Sequence, residues 1–458
     1  MMNLAYLLAT IGLVQGLKFM GEPAKAKQGN LIAAGSILLA LISLIIATGW
    51  AASVNLILLM GLLATGGVIG YIWSNRVAMT EMPQLVSIFN GLGGACALVL
   101  GLNQVYGHGV LDFGKMTGLV LLLTNLFGAV AFTGSMVAFF KLDGRKLPRP
   151  SKSQKLIAQV LLGLLLIALL YFVALPVNGD AFPMLILMVS VAALLYGIYF
   201  ALPIGGADMP VVISLLNALS GVATLFAGLV FHDPVMIIGG ILVGATGVIL
   251  TLQMCVAMNR SLMGVLAGKF AGSGVVKDEA EQDIRSITAV ETASLLAFSK
   301  KVAVVPGYGM AVAQAQRECF ALQEMLKQND VDLDFIIHPV AGRMPGHMNV
   351  LLAEANIPYA SVKEMSEVNN TMEHYDTVLV IGANDVVNPA AENDPDSSIY
   401  GMPIIRAHKA KQVIVMKRSM AKGYSGAVNT LFDRQNCKVL FGDAKSTLVE
   451  IINELKRI

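Results

Sequence analysis

The chain has 458 residues, of which 56% are hydrophobic and 14% charged, and its formal net charge is +2. Soluble domains carry about a quarter charged residues, so this composition points to a membrane, and the small net charge argues against a bulk electrostatic pull toward nucleic acid. The four cysteines (Cys96, Cys255, Cys319, Cys437) show no CxxC spacing and no spaced histidine partners, which argues against disulfides, zinc or any other metal site.

The N-terminus has no basic region ahead of its first apolar run, and its first charge, Lys18, follows that run. The run therefore reads as a retained span rather than a signal peptide. Apolar stretches near the ~20 residues needed to cross a bilayer lie at 3–20, 31–49, 54–73, 84–105, 116–140, 156–175, 183–202, 209–231 and 235–258, so about nine spans are expected. Gly61, Gly66, Gly67 and Gly70 read as close helix packing. Lys18, Lys25, Lys27, Arg76, Lys141, Arg145, Lys146, Arg149, Lys152, Lys155, Arg260 and Lys269 all fall in alternate loops, whereas the other loops hold Lys115. Basic loops stay in the cytoplasm. The expectation is a multi-pass inner (cytoplasmic) membrane protein with its N-terminus outside and its C-terminal domain in the cytoplasm.

The expected division is a membrane domain over 1–260, a linker over 261–290 containing the charged run Lys277–Glu281, and a nucleotide-binding domain over 291–458. A short helix is expected near Thr288–Phe298. Strands are then expected at Val302–Val305, Asp334–Ile337, Thr377–Ile381, Gln412–Met416 and Val439–Phe441, with helices at Gln314–Lys327, His347–Ala355 and Thr447–Lys456. This alternation predicts an α/β, Rossmann-like domain with a parallel sheet behind the helical membrane bundle.

The first strand runs into Gly307-Tyr308-Gly309-Met310-Ala311-Val312. In a dinucleotide fold the first glycine makes the turn and the second lets the backbone approach the pyrophosphate. An ordinary tight βα turn is the other reading, and Val312 stands where a third Gly or Ala is usual. The second strand ends in Ile337-His338-Pro339, without the acid that holds the ribose hydroxyls of NAD. A later strand delivers Lys417-Arg418-Ser419, two cations and a hydroxyl that suit a 2′-phosphate but would also suit a solvated strand end. Gly382-Ala383-Asn384-Asp385 brings further polar groups to the same edge. Together these favour NADP(H) over NAD(H).

Longer strings carry a resemblance. Pro306–Gln314, His338–Val350, Ile381–Asp385 with Asn388-Pro389, Lys417–Met420 with Gly423-Tyr424, Gly206–Pro210 and Leu216–Gly221 resemble the β subunit of the proton-translocating NAD(P) transhydrogenase over essentially the whole chain. The resemblance implies hydride exchange between NADH and NADP⁺ coupled to proton movement through the membrane domain. One Gly-rich turn provides one site, so NAD(H) is expected on a partner α subunit that also brings further membrane helices, in a dimer of α/β units within the lipid bilayer. By position, Gly307, Gly309 and Ala311 would cradle the pyrophosphate and Lys417, Arg418 and Ser419 the 2′-phosphate. Tyr308, Met310, Val312, Arg343, Gly382, Ala383, Asn384, Asp385, Gly423 and Tyr424 would complete the cofactor site. Asp385 and Arg343 are the catalytic candidates. Asp385 could link protonation to affinity, or simply cap its loop.

The chain departs from the family in the membrane. Many members carry a titrating histidine in the fourth span, where this chain has Asn90, and all six histidines lie elsewhere. Asparagine cannot hold a charge near neutral pH. Either a partner helix supplies the titrating group, which is the reading adopted, or coupling is weak. Asn90, Ser135, Asp208 and Asn217 are the proton-path candidates. Interhelical hydrogen bonding is the alternative role for the three membrane residues, and starting a helix is the alternative for Asp208. A transporter with a nucleotide-sensing domain would call for intramembrane charges, which the spans lack.

Overall fold

The computed structural model describes residues 2–21, 25–47, 54–107, 114–145, 147–148, 152–175, 181–204, 208–259, 261–266, 284–342, 346–421, 423 and 425–458. Arg343 and Tyr424, the charged run Lys277–Glu281, the cations Lys146, Arg149, Arg260 and Lys269, and Gly206-Ala207 of one matched string lie outside the described residues. The chain divides into two compact units: Met1–Gly206 with Val212–Ile249, and Ala207–Val211 with Leu250–Ile458.

Long apolar helices follow one another as expected: α1 (Met2–Met20), α2 (Ala26–Ala47), α3 (Val54–Arg76), α4 (Met82–Tyr106), α5 (Lys115–Leu142), α6 (Lys152–Ala174), α7 (Ala181–Ala201), α8 (Met209–Phe231) and α9 (Pro234–Ala257). Among the described residues, eight helices are long and apolar enough to cross a membrane, while α1 supplies a shorter apolar helix, Leu4–Met20. The helix is the natural form for such runs because it satisfies every backbone hydrogen bond within the segment. Pro83 sits in the first turn of α4, where a missing N–H costs nothing.

The core of the first unit gathers α4, α5, α6 and α7 around Leu98, Val105, Leu121, Leu122, Phe172 and Ile186. Where α4 crosses α5 the backbones nearly touch: a methyl group at Gly94 would lie 2.7 Å from the Gly128 carbonyl oxygen. Other glycines behave differently from expectation. A Cβ at Gly61, Gly66, Gly67 or Gly70 of α3 would meet nothing within 4 Å, so these do not pack against described parts of this chain.

The second unit contains β1 (Lys301–Pro306), β2 (Asp332–Ile337), β3 (Val362–Glu364), β4 (Thr377–Ile381), β5 (Gln412–Lys417) and β6 (Cys437–Phe441). They form one sheet in the order β3-β2-β1-β4-β5-β6 with every pairing parallel. Helices cover such a sheet on both faces, and the central strands accordingly bury Val302–Val305 and Val378–Ile381 completely. Thr288 caps the helix Ala289–Ala297 through a reciprocal pair of bonds with Glu291. Just ahead of that cap, the Ile287 amide donates to Val439 and the Val439 amide to Arg285, so the entering chain lies along β6.

At the amino ends of the central strands, Asp376 accepts the Lys300 and Lys301 amides at 2.8 and 3.1 Å and the Lys411 ammonium at 2.7 Å. This pins the starts of β1, β4 and β5 together. β3 was not foreseen, and the helix expected over Gln314–Lys327 begins two residues later, behind a separate short one. A short helix, Tyr308–Val312, breaks at Gln314 (φ 52°), and Gln316–Gln328 follows.

Candidate nucleotide site and membrane polar path

In a parallel sheet of this order the chain reverses direction between β1 and β4, and the crevice beyond their carboxyl ends is where ligands bind. The two loops there are Gly307–Val312 and Gly382–Asp385, so the fold brings two separate sequence candidates to one place. Gly307 is extended (φ −125°, ψ −177°) and caps the helix Tyr308–Val312, burying Met310 and Ala311 while Val312 stays exposed. Beneath it the Cys319 Sγ lies 3.6 Å from the Met310 Sδ.

The two loops touch. The Gly307 amide donates to Ile381 and the Gly309 amide to Gly382, each at 2.9 Å. A Cβ at Gly307 would come 2.5 Å from the Ala383 nitrogen, and one at Gly309 would come 2.7 Å from the Gly382 Cα. These glycines are thus needed first for protein–protein contact, and both amides are already engaged. Gly382 has φ +66° and is closed upon in turn by Gly309.

Beyond Gly382, the half-buried Asp385 accepts from the Ser425 amide at 3.0 Å and the Ser425 hydroxyl at 2.8 Å. The Asn429 carboxamide donates to the backbone and side-chain oxygens of Asn384 at 3.1 and 2.8 Å. Buried Asn388 donates to Val428 and accepts from the Thr430 amide. The segment after β5 is therefore stitched over the end of β4. Gly423 belongs to the same contact, because a Cβ there would lie 2.3 Å from an Asp385 oxygen. Sequence reasoning missed Ser425 and Asn429, whose polar residue types are unremarkable in a loop, and gave Asn388, part of a matched string, no role in the site.

Lys417 closes β5 and carries the cationic group. Its ammonium lies 3.3 Å from the Ala421 carbonyl and 4.6 Å from the centre of the Phe432 ring, and among the described residues no carboxylate pairs with it. Burial pulls its pKa below the usual lysine range, and the nearby charge of Asp385 partly restores it. A half-dehydrated cation facing a carbonyl and an aromatic ring retains capacity for an anion. Arg418 and Ser419 follow it and are exposed. This donor set fits a phosphate monoester.

His338 after β2 does not join that set. It is 1% exposed, it lies 2.8 Å from the Pro403 carbonyl through Nε2, and burial pushes its pKa down to about 4. It is a neutral structural imidazole.

In the first unit, Asn90 and Ser135 are both buried, on α4 and α5. The Ser87 hydroxyl donates to the Ser135 carbonyl at 2.9 Å, the Ser135 hydroxyl is buried with no hydrogen-bond partner among the described residues, and the Asn90 amide reaches 3.5 Å toward Ile213 of α8. Asn217 lies one turn further along α8, on the same face and half-buried. Asp208, 5% exposed, immediately precedes α8. A further polar pair, Asn125 and Ser190, was not singled out from the sequence. Its signal is one carboxamide in the otherwise apolar run Leu119–Val130.

The sequence was also compared with known proteins. Residues 2–454 match the family model described as NAD(P) transhydrogenase beta subunit. Two sequences of Rhodospirillum rubrum, one assigned to a specific strain, both described as NAD(P) transhydrogenase subunit beta, are each 40% identical to this chain over 465 aligned residues that cover 98% of either partner.

Proposed function

Since the chain belongs to the NAD(P) transhydrogenase beta subunit family, and so is a membrane component of an oxidoreductase complex that uses nicotinamide nucleotides, we propose that it binds NADP(H) and takes part in hydride exchange with NAD(H) held by an α subunit, coupled to proton movement. The observation that carries the NADP(H) reading is Lys417 at the end of β5, followed by Arg418 and Ser419 and beside the stitched loops of the switch-point crevice.

Lys417 and Arg418 hold the 2′-phosphate, and the Ser419 hydroxyl adds a donor. The turn Gly307–Val312 lines the dinucleotide backbone, with Tyr308, Gly309 and Val312 presented at its surface. Because the Gly307 and Gly309 amides are spent within the protein, most of the phosphate recognition falls to side chains. Asp385 acts by fixing the segment 423–430 through Ser425, and Arg343 and Tyr424 are the remaining site candidates. Bound NADP(H) supplies the hydride chemistry itself, while the chain positions the nucleotide and excludes water. In the membrane domain, Asn90, Ser135 and Asn217 provide polar groups for the proton path and Asp208 links it to the nucleotide domain. The titrating group comes from the α subunit, since no histidine lies in α4. The protein resides in the inner (cytoplasmic) membrane with the nucleotide domain in the cytoplasm, in a dimer of α/β units.

The test is calorimetric titration of the purified full-length chain with NADPH and with NADH, alongside the Lys417→Ala/Arg418→Ala double variant. A strong preference for NADPH that collapses in the double variant is expected. Equal binding of the two nucleotides, or a preference that survives the substitutions, would overturn the assignment.

A further inference from the structure

The middle of a membrane helix is the most expensive place for a polar side chain, and one placed there without a charge partner calls for an explanation. Asn125 of α5 is fully buried, and Ser190, in the middle of α7, is 2% exposed. The carboxamide Nδ2 donates to the Leu121 carbonyl one turn back at 2.9 Å. Its Oδ1 lies 3.3 Å from the Ser190 hydroxyl, which lies 2.7 Å from the Ile186 carbonyl. A hydroxyl has a single hydrogen, so it serves one of these two acceptors at a time. With the hydrogen on Ile186, the shorter contact, Asn125 Oδ1 is left short of a donor in a dry environment.

Helix α4 is shaped around the same carboxamide. A Cβ at Gly101 would fall 2.2 Å from Asn125 Nδ2, so the asparagine occupies space that only glycine leaves open. Three helices thus converge on Asn125. Along α5 it lies on the same α4-facing seam as Ser135, about ten residues and so roughly 15 Å away. The Ser135 hydroxyl is itself buried and without a hydrogen-bond partner among the described residues. Between them Gly94 meets Gly128, and Thr133, the polar side chain of α5 in that stretch, turns instead to the carbonyls of Ala129 and of Leu194 on α7. The seam therefore carries two polar stations, each with unmet hydrogen-bonding capacity.

We propose that Asn125 and Ser190 form a second water-binding station of the proton path, nearer the Lys115 end of α5 than the Ser87–Asn90–Ser135 group. This rests on the proton-coupling reading of the chain. In a passage through the station, a hydrogen bond to Asn125 Oδ1 holds a water in place, and the proton arrives on that water, which donates to the Ser190 oxygen. The hydroxyl keeps the arriving hydrogen, and its own hydrogen leaves toward the next water. Neither side chain changes its charge. The Ser190 hydrogen then swings between Ile186 and Asn125 to reset the station.

The experiment uses the complete α/β complex reconstituted in liposomes, with vesicle pH followed by a trapped dye during hydride exchange between NADPH and NAD⁺. Ser190→Ala should lower the proton-transport rate at least tenfold, leave NADPH affinity within twofold, and leave the melting temperature of the complex unchanged. Ser190→Thr, which keeps the hydroxyl, should recover most of the rate. Gly101→Ala, which displaces the carboxamide without touching either polar group, should resemble Ser190→Ala. A wild-type transport rate in Ser190→Ala, or a Thr variant as slow as the Ala variant, would overturn the station. Wild-type vesicles that exchange hydride without any pH change would instead overturn the proton-coupling reading on which it rests.

Discussion

The Asp385 carboxylate holds Ser425 twice, accepting its amide at 3.0 Å and its hydroxyl at 2.8 Å. One acid at the end of β4 thereby fixes the segment that follows β5, next to the cation of Lys417. The relationship is between loops rather than within one, which is why removing the acid should act on nucleotide retention more than on folding.

Asp385→Ala is expected to weaken NADPH binding at least tenfold, with the sheet still cooperatively folded. Ser425→Ala removes one neutral-to-charged bond and keeps the amide contact, so it should cost less, about 1–2 kcal/mol. Titration calorimetry of both variants in the full-length chain checks the order. Equal losses in the two would mean that the hydroxyl carries the whole connection.

The pH dependence of NADPH affinity provides a second check. Burial lowers the pKa of Lys417 below its ordinary 10.5, and the charge of Asp385 raises it. The protonated ammonium is the form that holds a phosphate, and the phosphate itself loses charge below about pH 6, so affinity should be highest near neutral pH and fall as pH rises toward that depressed value. In Asp385→Asn the opposing influence is gone, and the fall should begin at a lower pH than in the wild type. A profile with no fall on the alkaline side would remove Lys417 from phosphate binding.

Two glycines with positive φ separate strain from crowding. Among the described residues nothing lies within 4 Å of a would-be Cβ at Gly346 (φ +71°), so Gly346→Ala should cost mainly backbone strain, about 1 kcal/mol. At Gly382 (φ +66°) the added carbon would lie 2.4 Å from the Gly309 Cα, so Gly382→Ala should cost about 3 kcal/mol or more and also abolish NADPH binding. Thermal unfolding of the two variants, measured side by side, tests the contrast.

His338 sets an acid limit on the sheet unit. Its folded pKa of about 4 lies below the unfolded 6.5. The unfolded state therefore takes up a proton first as pH falls. The stabilisation is fully present above pH 6.5 and is lost progressively toward pH 4, with a ceiling of about 3 kcal/mol. Scanning calorimetry between pH 4 and 7 should reveal this slope, and His338→Gln, which has no proton to take up, should flatten it.

The strands at β1, β2, β4, β5 and β6 were legible because each is a short run rich in β-branched residues, bounded by polar turns. β3 was not, since Val362–Glu364 is a three-residue edge strand only partly buried, and so short a run carries no periodicity. The Gly307/Gly309 turn was legible as a turn, but the reason for its glycines was not. Their close neighbours, Gly382 and Ala383, are about seventy residues away in sequence and arrive only once β4 pairs with β1. The membrane helices were read from length and apolarity alone, and those signals do not say which face meets what. For that reason the α3 glycines were expected to pack and meet no described part of this chain, while Asn125 passed unnoticed.

The contact between residues 285–287 and β6 sets where a soluble fragment can begin. By bonding to Val439, that segment covers a flank of the sheet whose amide and carbonyl groups would otherwise invite pairing with another chain. A fragment starting before Ile284 keeps this cover, whereas one starting at Ala289 loses both the cover and the Thr288 cap of the following helix. The first should remain monodisperse at high concentration and the second should self-associate, although the two share every residue that faces the nucleotide crevice.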